Sequence, residues 1–254
     1  MSRPLADRLA LVTGAGGAIG TAVVRSLREQ GARVVGADLL GRHLGQACPP
    51  WEGEPVALDV RIKAQITDLV SAVAEQAGAP VDTLINVAGV VSFGSAQDLE
   101  EQEWDRVMAI NLKGSFLAAQ AVMPGMRRLG FGRIVNLGSV VGKNSGNARP
   151  WIDPAEQQRA SNVAYGISKA GIHSMTGFLA RELASSGVTV NAVAPGPIAT
   201  AMTTAFPAAL QALIPRGRMG TPEDVARAVS FLVQREADFI TGEVIDVNGG
   251  MWSD

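Results

Sequence analysis

The sequence predicts an α/β protein: a parallel sheet with helices wound on both faces. Three observations carry this. Short apolar runs alternate with longer amphipathic stretches along the 254 residues. The apolar runs are continuous rather than alternating, as strands covered on both faces are. The first run ends in a glycine-rich turn that opens into a helix, the start of a right-handed βαβ unit.

The elements follow in order. "LALVT" (9–13) is the first strand, and Gly14, Gly16, Gly17 and Gly20 keep side chains out of the turn after it. The helix near 18–30 then presents free N–H groups and its positive dipole end, which suits a pyrophosphate. Many strand–helix turns use glycine, so a structural role for this turn stays open. "ARVVGAD" (32–38) ends at Asp38, at roughly the ~20-residue distance where an acid meets an adenosine ribose. A carboxylate accepts hydrogen bonds from ribose hydroxyls and repels a 2′-phosphate. Leu39 follows it, and Arg42 is the only nearby cation, so NAD is expected over NADP. The alternative is that Asp38 caps the next helix.

"PVALDV" (55–60), a helix near 63–77, and "DTLINVAG" (82–89) come next. The helix expected over 101–129 contains Asn111, a mediocre helix former, so either a polar role or a satisfied buried amide fits. "GRIVNLGS" (132–139) puts Ser139 at a strand's carboxyl end, where ligands of such sheets bind; a turn or cap serine is the alternative. Residues 140–162 read as a long irregular loop, and such loops in compact domains are usually functional or disordered. A helix over 161–186, "VTVNAVAP" (188–195), a helix over 222–234 and "GEVIDVNGG" (242–250) complete the pattern.

The chain has a single tyrosine, Tyr165, with Lys169 one helical turn after it. An ammonium near a phenol favours the phenolate and lowers its pKa toward working pH. A surface Tyr–Lys pair has the same spacing. Ala164, Gly166, Ala170 and Gly171 around the pair suit close packing or ligand approach better than a solvated face.

Bulk properties narrow the function classes. Hydrophobic residues make up 47% and charged residues 18%, enough for a sizeable core. A formal net charge of −2 without a Lys/Arg cluster argues against nucleic acid. Cys48 is alone, so no intrachain disulfide forms and a cytoplasmic setting is expected. His43 and His173 cannot build a His-rich metal site, so no metal is expected. No leader and no membrane-spanning run are expected. Ser139 is not in G-x-S-x-G, since Leu137 takes the first glycine position, and neither histidine falls in an evident triad, which sets a hydrolase aside.

With these residues in place, the chain resembles the classical short-chain dehydrogenase/reductase family over essentially its whole length. "TGAGGAIG" (13–20) is similar to the family's coenzyme turn, "NVAG" (86–89) to its N-N-A-G, and "YGISK" (165–169) to its Y-x-x-x-K. "APGPIATAM" (194–202), "RMGTPEDVA" (218–226) and "ITGEVIDVNGG" (240–250) resemble its later phrases. The resemblance implies one Rossmann-type doubly wound domain over 1–254, a seven-stranded parallel sheet in the order 3-2-1-4-5-6-7, and a homotetramer or homodimer. It implies Tyr165 as acid/base, Lys169 as its pKa modulator and ribose ligand, Ser139 orienting the substrate oxygen, and Asn111 holding a water that relays protons to Lys169. Gly14, Gly17, Ala18, Ile19, Gly20, Asp38, Leu39, Asp59 and Val60 would bind the coenzyme's pyrophosphate and adenosine end. Asn86, Ala88 and Gly89 would border its adenosine ribose. Pro195, Gly196, Ile198 and Thr200 would border the carboxamide, with Tyr165 and Lys169 beside the nicotinamide.

The sequence departs from the family pattern in three places. Ala18 replaces a glycine of the coenzyme turn, a change tolerable at helical φ. Val87 replaces the second asparagine of N-N-A-G. The interval from Ser139 to Tyr165 is about twice the usual one. The expectation is an NAD-dependent alcohol dehydrogenase/ketoreductase for a small polar or cyclic secondary alcohol or its ketone, with no nucleic-acid or membrane partner. Residues 143–162 would line the substrate pocket through Arg149 and Trp151, and 200–216 would form a short lid. A 3-oxoacyl-thioester reductase, which would be expected to prefer NADPH, and a non-catalytic NAD-binding scaffold are the alternatives.

Overall fold

The computed structural model describes residues 4–41, 43, 50–146, 154–200 and 211–253. Its strands are β1 (Leu9–Thr13), β2 (Arg33–Asp38), β3 (Val56–Ala57), β4 (Thr83–Asn86), β5 (Gly132–Leu137), β6 (Val188–Pro195) and β7 (Val244–Val247). All neighbouring pairs are parallel, in the order β3-β2-β1-β4-β5-β6-β7. The order reverses between β1 and β4, which marks the crevice where such sheets bind ligands.

The helices are α1 (Ala18–Glu29), α2 (Lys63–Ala77), α3 (Glu101–Val107), α4 (Gly114–Leu129), α5 (Val141–Asn144), α6 (Pro154–Gln158), α7 (Val163–Leu183) and α8 (Pro222–Leu232). Successive strand residues point to opposite faces, and both faces are covered. Leu9 and Leu11 of β1 join the core under α2, α4 and α7, with Ile66, Val122 and Leu183. Ala10 and Val12 join the opposite core under α1 and α8, with Leu27, Val225 and Val229. This double burial is why the strands read as unbroken apolar runs.

Two helix starts are fixed by their caps. Thr221 and Asp224 form a reciprocal capping box with Pro222 at the first helical position of α8. The side chain of Asn162 accepts from the Tyr165 N–H at 3.3 Å and starts α7. Asn162 in turn donates to Ser92 Oγ at 2.7 Å, tying the start of α7 to the loop after β4.

Three elements differ from expectation. β3 has two residues rather than six, although pairing continues through the Leu58 N–H to the Asp38 carbonyl at 2.8 Å. The helix expected over 101–129 runs through, but Met108–Lys113 form a π-helical turn between α3 and α4. The irregular stretch after β5 contains two short helices, α5 and α6.

Candidate active site

The residues singled out from sequence gather at the carboxyl edge of the sheet. At the β1/β4 reversal, Gly14 has φ 68°, and a Cβ there would stand 2.6 Å from the Ala88 amide nitrogen. Only glycine lets the two strand ends close on each other. A Cβ on Gly20 would meet the Gly14 carbonyl oxygen at 2.1 Å, so the first turn of α1 packs directly on the loop. Gly17 is the N-cap of α1 and supplies no side chain. Ala18 opens the helix with its methyl exposed, so the departure at this position is accommodated; Ile19 is half-buried beside it. This end of α1 fits a dinucleotide pyrophosphate.

The adenosine end is more self-contained than the sequence suggests. Asp38 Oδ2 accepts from the Gly16 N–H at 2.9 Å. Asp59 is held by a forked ion pair to Arg61, with contacts at 2.6 and 2.9 Å, and its carboxyl lies below the usual range because Arg61 hydrogen-bonds to it. Val60 is buried against Gly114 at the start of α4, and Leu39 is exposed. Asn86, expected beside the ribose, has its side chain inside the sheet. It donates to the Ser115 carbonyl at 3.2 Å and to Asn136 Oδ1 at 2.9 Å, and Asn136 donates to Thr176 Oγ1 at 3.0 Å. Its Oδ1 is buried with no hydrogen-bond partner among the described residues, which leaves the backbone to border a ribose. The Ala88 N–H donates to Thr13 Oγ1 at 3.3 Å.

The reactive end is built from α7 and the end of β5. Ser139 is buried, and its hydroxyl faces that of Tyr165 closely enough to act on it. Lys169 is buried and donates to the Leu137 carbonyl at 2.7 Å, with its ammonium 5.8 Å from the Tyr165 ring centre. Gly89 lies against both Asn111 and the lysine: a Cβ there would stand tightly at 3.3 Å from Asn111 Oδ1 and in ordinary contact at 3.5 Å from Lys169 Nζ. Desolvation lowers the Lys169 pKa from 10.5 to about 8. The expected depression of the Tyr165 pKa by Lys169 is not what this geometry gives. Burial raises it, and the opposing influence is the Ser139 hydroxyl. The lysine faces a backbone carbonyl instead of the phenol oxygen.

Asn111 sits in the π-helical turn, fully buried. Its Oδ1 accepts from the Val90 N–H at 2.8 Å, and its Nδ2 donates to the Val90 carbonyl at 2.9 Å and to Ser168 Oγ at 3.0 Å. Both amide protons are therefore engaged in bracing the loop after β4 against α7. π-Turns concentrate at functional sites. After β6, the Val140 N–H donates to the Pro195 carbonyl at 3.0 Å, and the Gly196 N–H to the Val247 carbonyl at 3.1 Å. Ile198 is buried and bridges to Gly220, and Thr200 ends this described stretch. Arg149 and Trp151 lie outside the described residues, as do residues 201–210 of the expected lid and Arg42. Sequence reasoning missed His173, which stands against Ser139 and lies two turns beyond Tyr165 on α7. Its i+8 spacing was the available signal.

A family model described as enoyl-(acyl carrier protein) reductase matches residues 14–252. The chain belongs to the classical short-chain dehydrogenase/reductase family. It is 39% identical to the 3-oxoacyl-[acyl-carrier-protein] reductase FabG of Vibrio cholerae, over 98% of each chain. It is 36% identical to the FabG of Escherichia coli, over 96% of this chain and 97% of that one. The crystal structure of gox2181 superposes with a TM-score of 0.83 at 35% identity, covering 96% of this chain and 95% of that one. The protein is an oxidoreductase of this family. Among the described residues no helix is long and apolar enough to cross a membrane.

The relatives correct one expectation. Asp38 suggests NAD over NADP from sequence. A reductase of acyl-carrier substrates is expected to use NADPH, and full-length relatives of that name overturn the NAD preference. The physical reason lies at the same residue. The Asp38 carboxylate already accepts a backbone N–H of the coenzyme turn, so its presence does not by itself report a ribose contact.

Proposed function

We propose that this chain reduces the keto group of a 3-oxoacyl thioester to a secondary alcohol. The observation that carries the reading is the pairing of the Ser139 and Tyr165 hydroxyls, beside a buried lysine at the sheet's carboxyl edge. Two hydroxyls converging on one point suit a carbonyl oxygen. The relatives' names supply the substrate class and favour it over the small polar alcohol expected from sequence. The family model's description names reduction of a carbon–carbon double bond, for which an oxygen-directed pair is less apt.

In this reading NADPH, when bound, supplies the hydride to the carbonyl carbon. Ser139 donates a hydrogen bond to the carbonyl oxygen, and Tyr165 gives that oxygen its proton as the C=O bond becomes CH–OH. Lys169, held by Leu137, places positive charge near the nicotinamide ribose and the phenol. Asn111 keeps Val90 and α7 in register beneath them. The uncapped start of α1 holds the pyrophosphate. The chain acts as one catalytic domain, with 143–162 and 200–216 bordering the substrate. It works as a homo-oligomer, supported by an apolar groove of about 740 Å³ on the outer face of α3, α4 and α7. There Phe178 is 72% exposed and Phe116 40%.

The test is loss of NADPH absorbance with acetoacetyl thioesters on coenzyme A and on carrier protein, against a panel of small ketones and against NADH. Turnover of the thioesters with NADPH supports the reading; turnover confined to small ketones sinks it. A companion prediction concerns Ser139→Ala. Its hydroxyl lowers the Tyr165 pKa, so its loss raises it. In the alcohol-oxidising direction, where the phenolate is the base, the alkaline-rising limb of kcat moves to higher pH. A limb that stays in place or moves to lower pH contradicts the Ser139–Tyr165 contact.

A further inference from the structure

We infer that His173 is a positioning residue for Ser139, acting through the serine's backbone. Its Nε2 accepts the Ser139 N–H at 3.4 Å, a long hydrogen bond across a sequence separation of 34 residues. The ring lies in a slot made by two glycines. A Cβ on Gly138 would stand 2.2 Å from Nε2, and one on Gly142 2.9 Å from Cε1. The imidazole thus touches the chain before, at and after Ser139. Tyr165, Lys169 and His173 occupy successive turns of one face of α7. The first meets the Ser139 hydroxyl, the second the Leu137 carbonyl and the third the Ser139 amide. One helix face therefore grips the end of β5 at three points.

The accepted N–H places the imidazole proton on Nδ1, because Nε2 must offer its lone pair. A doubly protonated ring offers no acceptor at Nε2 and turns a donor toward the Ser139 amide. Protonation of His173 therefore releases Ser139 from its place. Among the described residues, the charged groups nearest in the chain to those the ring touches are Lys169, one turn earlier on α7, and Lys143, which follows Gly142 on α5. Lys143 pairs with Asp246 of β7 at 3.0 Å. At Gly138, β6 contributes the Val193 carbonyl.

The role assigned to Ser139 rests on the proposed carbonyl reduction, so the test includes a readout independent of turnover. In ¹⁵N-labelled protein, the Ser139 amide resonance is expected to titrate together with the His173 ring. In thioester reduction, kcat is expected to fall toward acid with the same midpoint. His173→Leu should lower kcat roughly tenfold and abolish that acid limb, with NADPH affinity unchanged. His173→Gln, whose amide oxygen accepts, should recover kcat to within about twofold and lack the limb. A Ser139 amide that ignores the imidazole titration overturns the inference. So does a His173→Leu enzyme that keeps the wild-type kcat or the acid limb. If no thioester turns over, the resonance experiment still decides the His173–Ser139 bond, and only the carbonyl-reduction reading fails.

Discussion

Tyr165→Phe should lower kcat about 10³-fold while leaving NADPH affinity within about twofold of wild type, the size of a lost general acid. The phenyl ring keeps the packing of the half-buried tyrosine and removes only the hydroxyl. That hydroxyl faces Ser139, whose Oγ accepts from the Val141 N–H at 3.2 Å, so the serine keeps a partner. Folding stability should change by no more than about 1 kcal/mol. Thermal unfolding and NADPH titration, run beside the kinetics, separate the two roles a lone tyrosine can have. A variant that retains turnover, or one that loses its fold, contradicts the acid assignment.

Lys169→Met should separate activity from stability in opposite directions. Turnover should fall on the order of 100-fold, because the positive charge that the proposed function places at the nicotinamide ribose is gone. The free protein should become more stable at neutral pH. The folded pKa of about 8 lies below the ordinary 10.5. Between these values the unfolded chain holds a proton that the folded chain lacks, so stability rises with pH across that window. Below pH 8 the full cost of burying the ammonium is present, about 3 kcal/mol. Loss of the hydrogen bond to Leu137 offsets about 1 kcal/mol of the gain. The variant should therefore lead by about 2 kcal/mol below pH 8, and the lead should vanish as pH approaches 10.5. Denaturant unfolding at several pH values reads this directly. A variant less stable than wild type at pH 7 would show that the ammonium is better solvated than its burial implies.

Much of the fold is legible because local pattern and tertiary environment agree. Leu9, Ala10, Leu11 and Val12 are apolar on both faces because helices cover both. The glycines of the first turn are present because Gly14 and Gly20 meet backbone atoms. Ser139, Tyr165 and Lys169 were readable because strand ends and helical spacing project onto the same edge. What escaped is non-local. Nothing in "MAINLK" announces a widened hydrogen-bond ladder. The facing of Lys169 toward Leu137, and with it the direction of the Tyr165 pKa, depends on a carbonyl 32 residues away. His173 gains its meaning only from Gly138, Ser139 and Gly142. Asp38 misled because a carboxylate at a strand end serves a backbone amide as readily as a sugar.

The π-helical turn over Met108–Lys113 has a consequence for how this chain tolerates change in length. One additional residue in an ordinary α-helix rotates everything beyond it by about 100°. Such a rotation would swing Leu117 and Val122 of α4 away from the sheet. The widened turn absorbs a residue locally, so α3 and α4 keep the mutual phase of a helix one residue shorter. Deleting a single residue there would leave the apolar seam of α4 facing the sheet while removing the bulge that sets Asn111 against Val90 and Ser168. In this stretch the phase of the helices is uncoupled from chain length, and a deletion would keep the seam of α4 while unpairing the buried amide of Asn111, at a cost to stability as well as to the reaction.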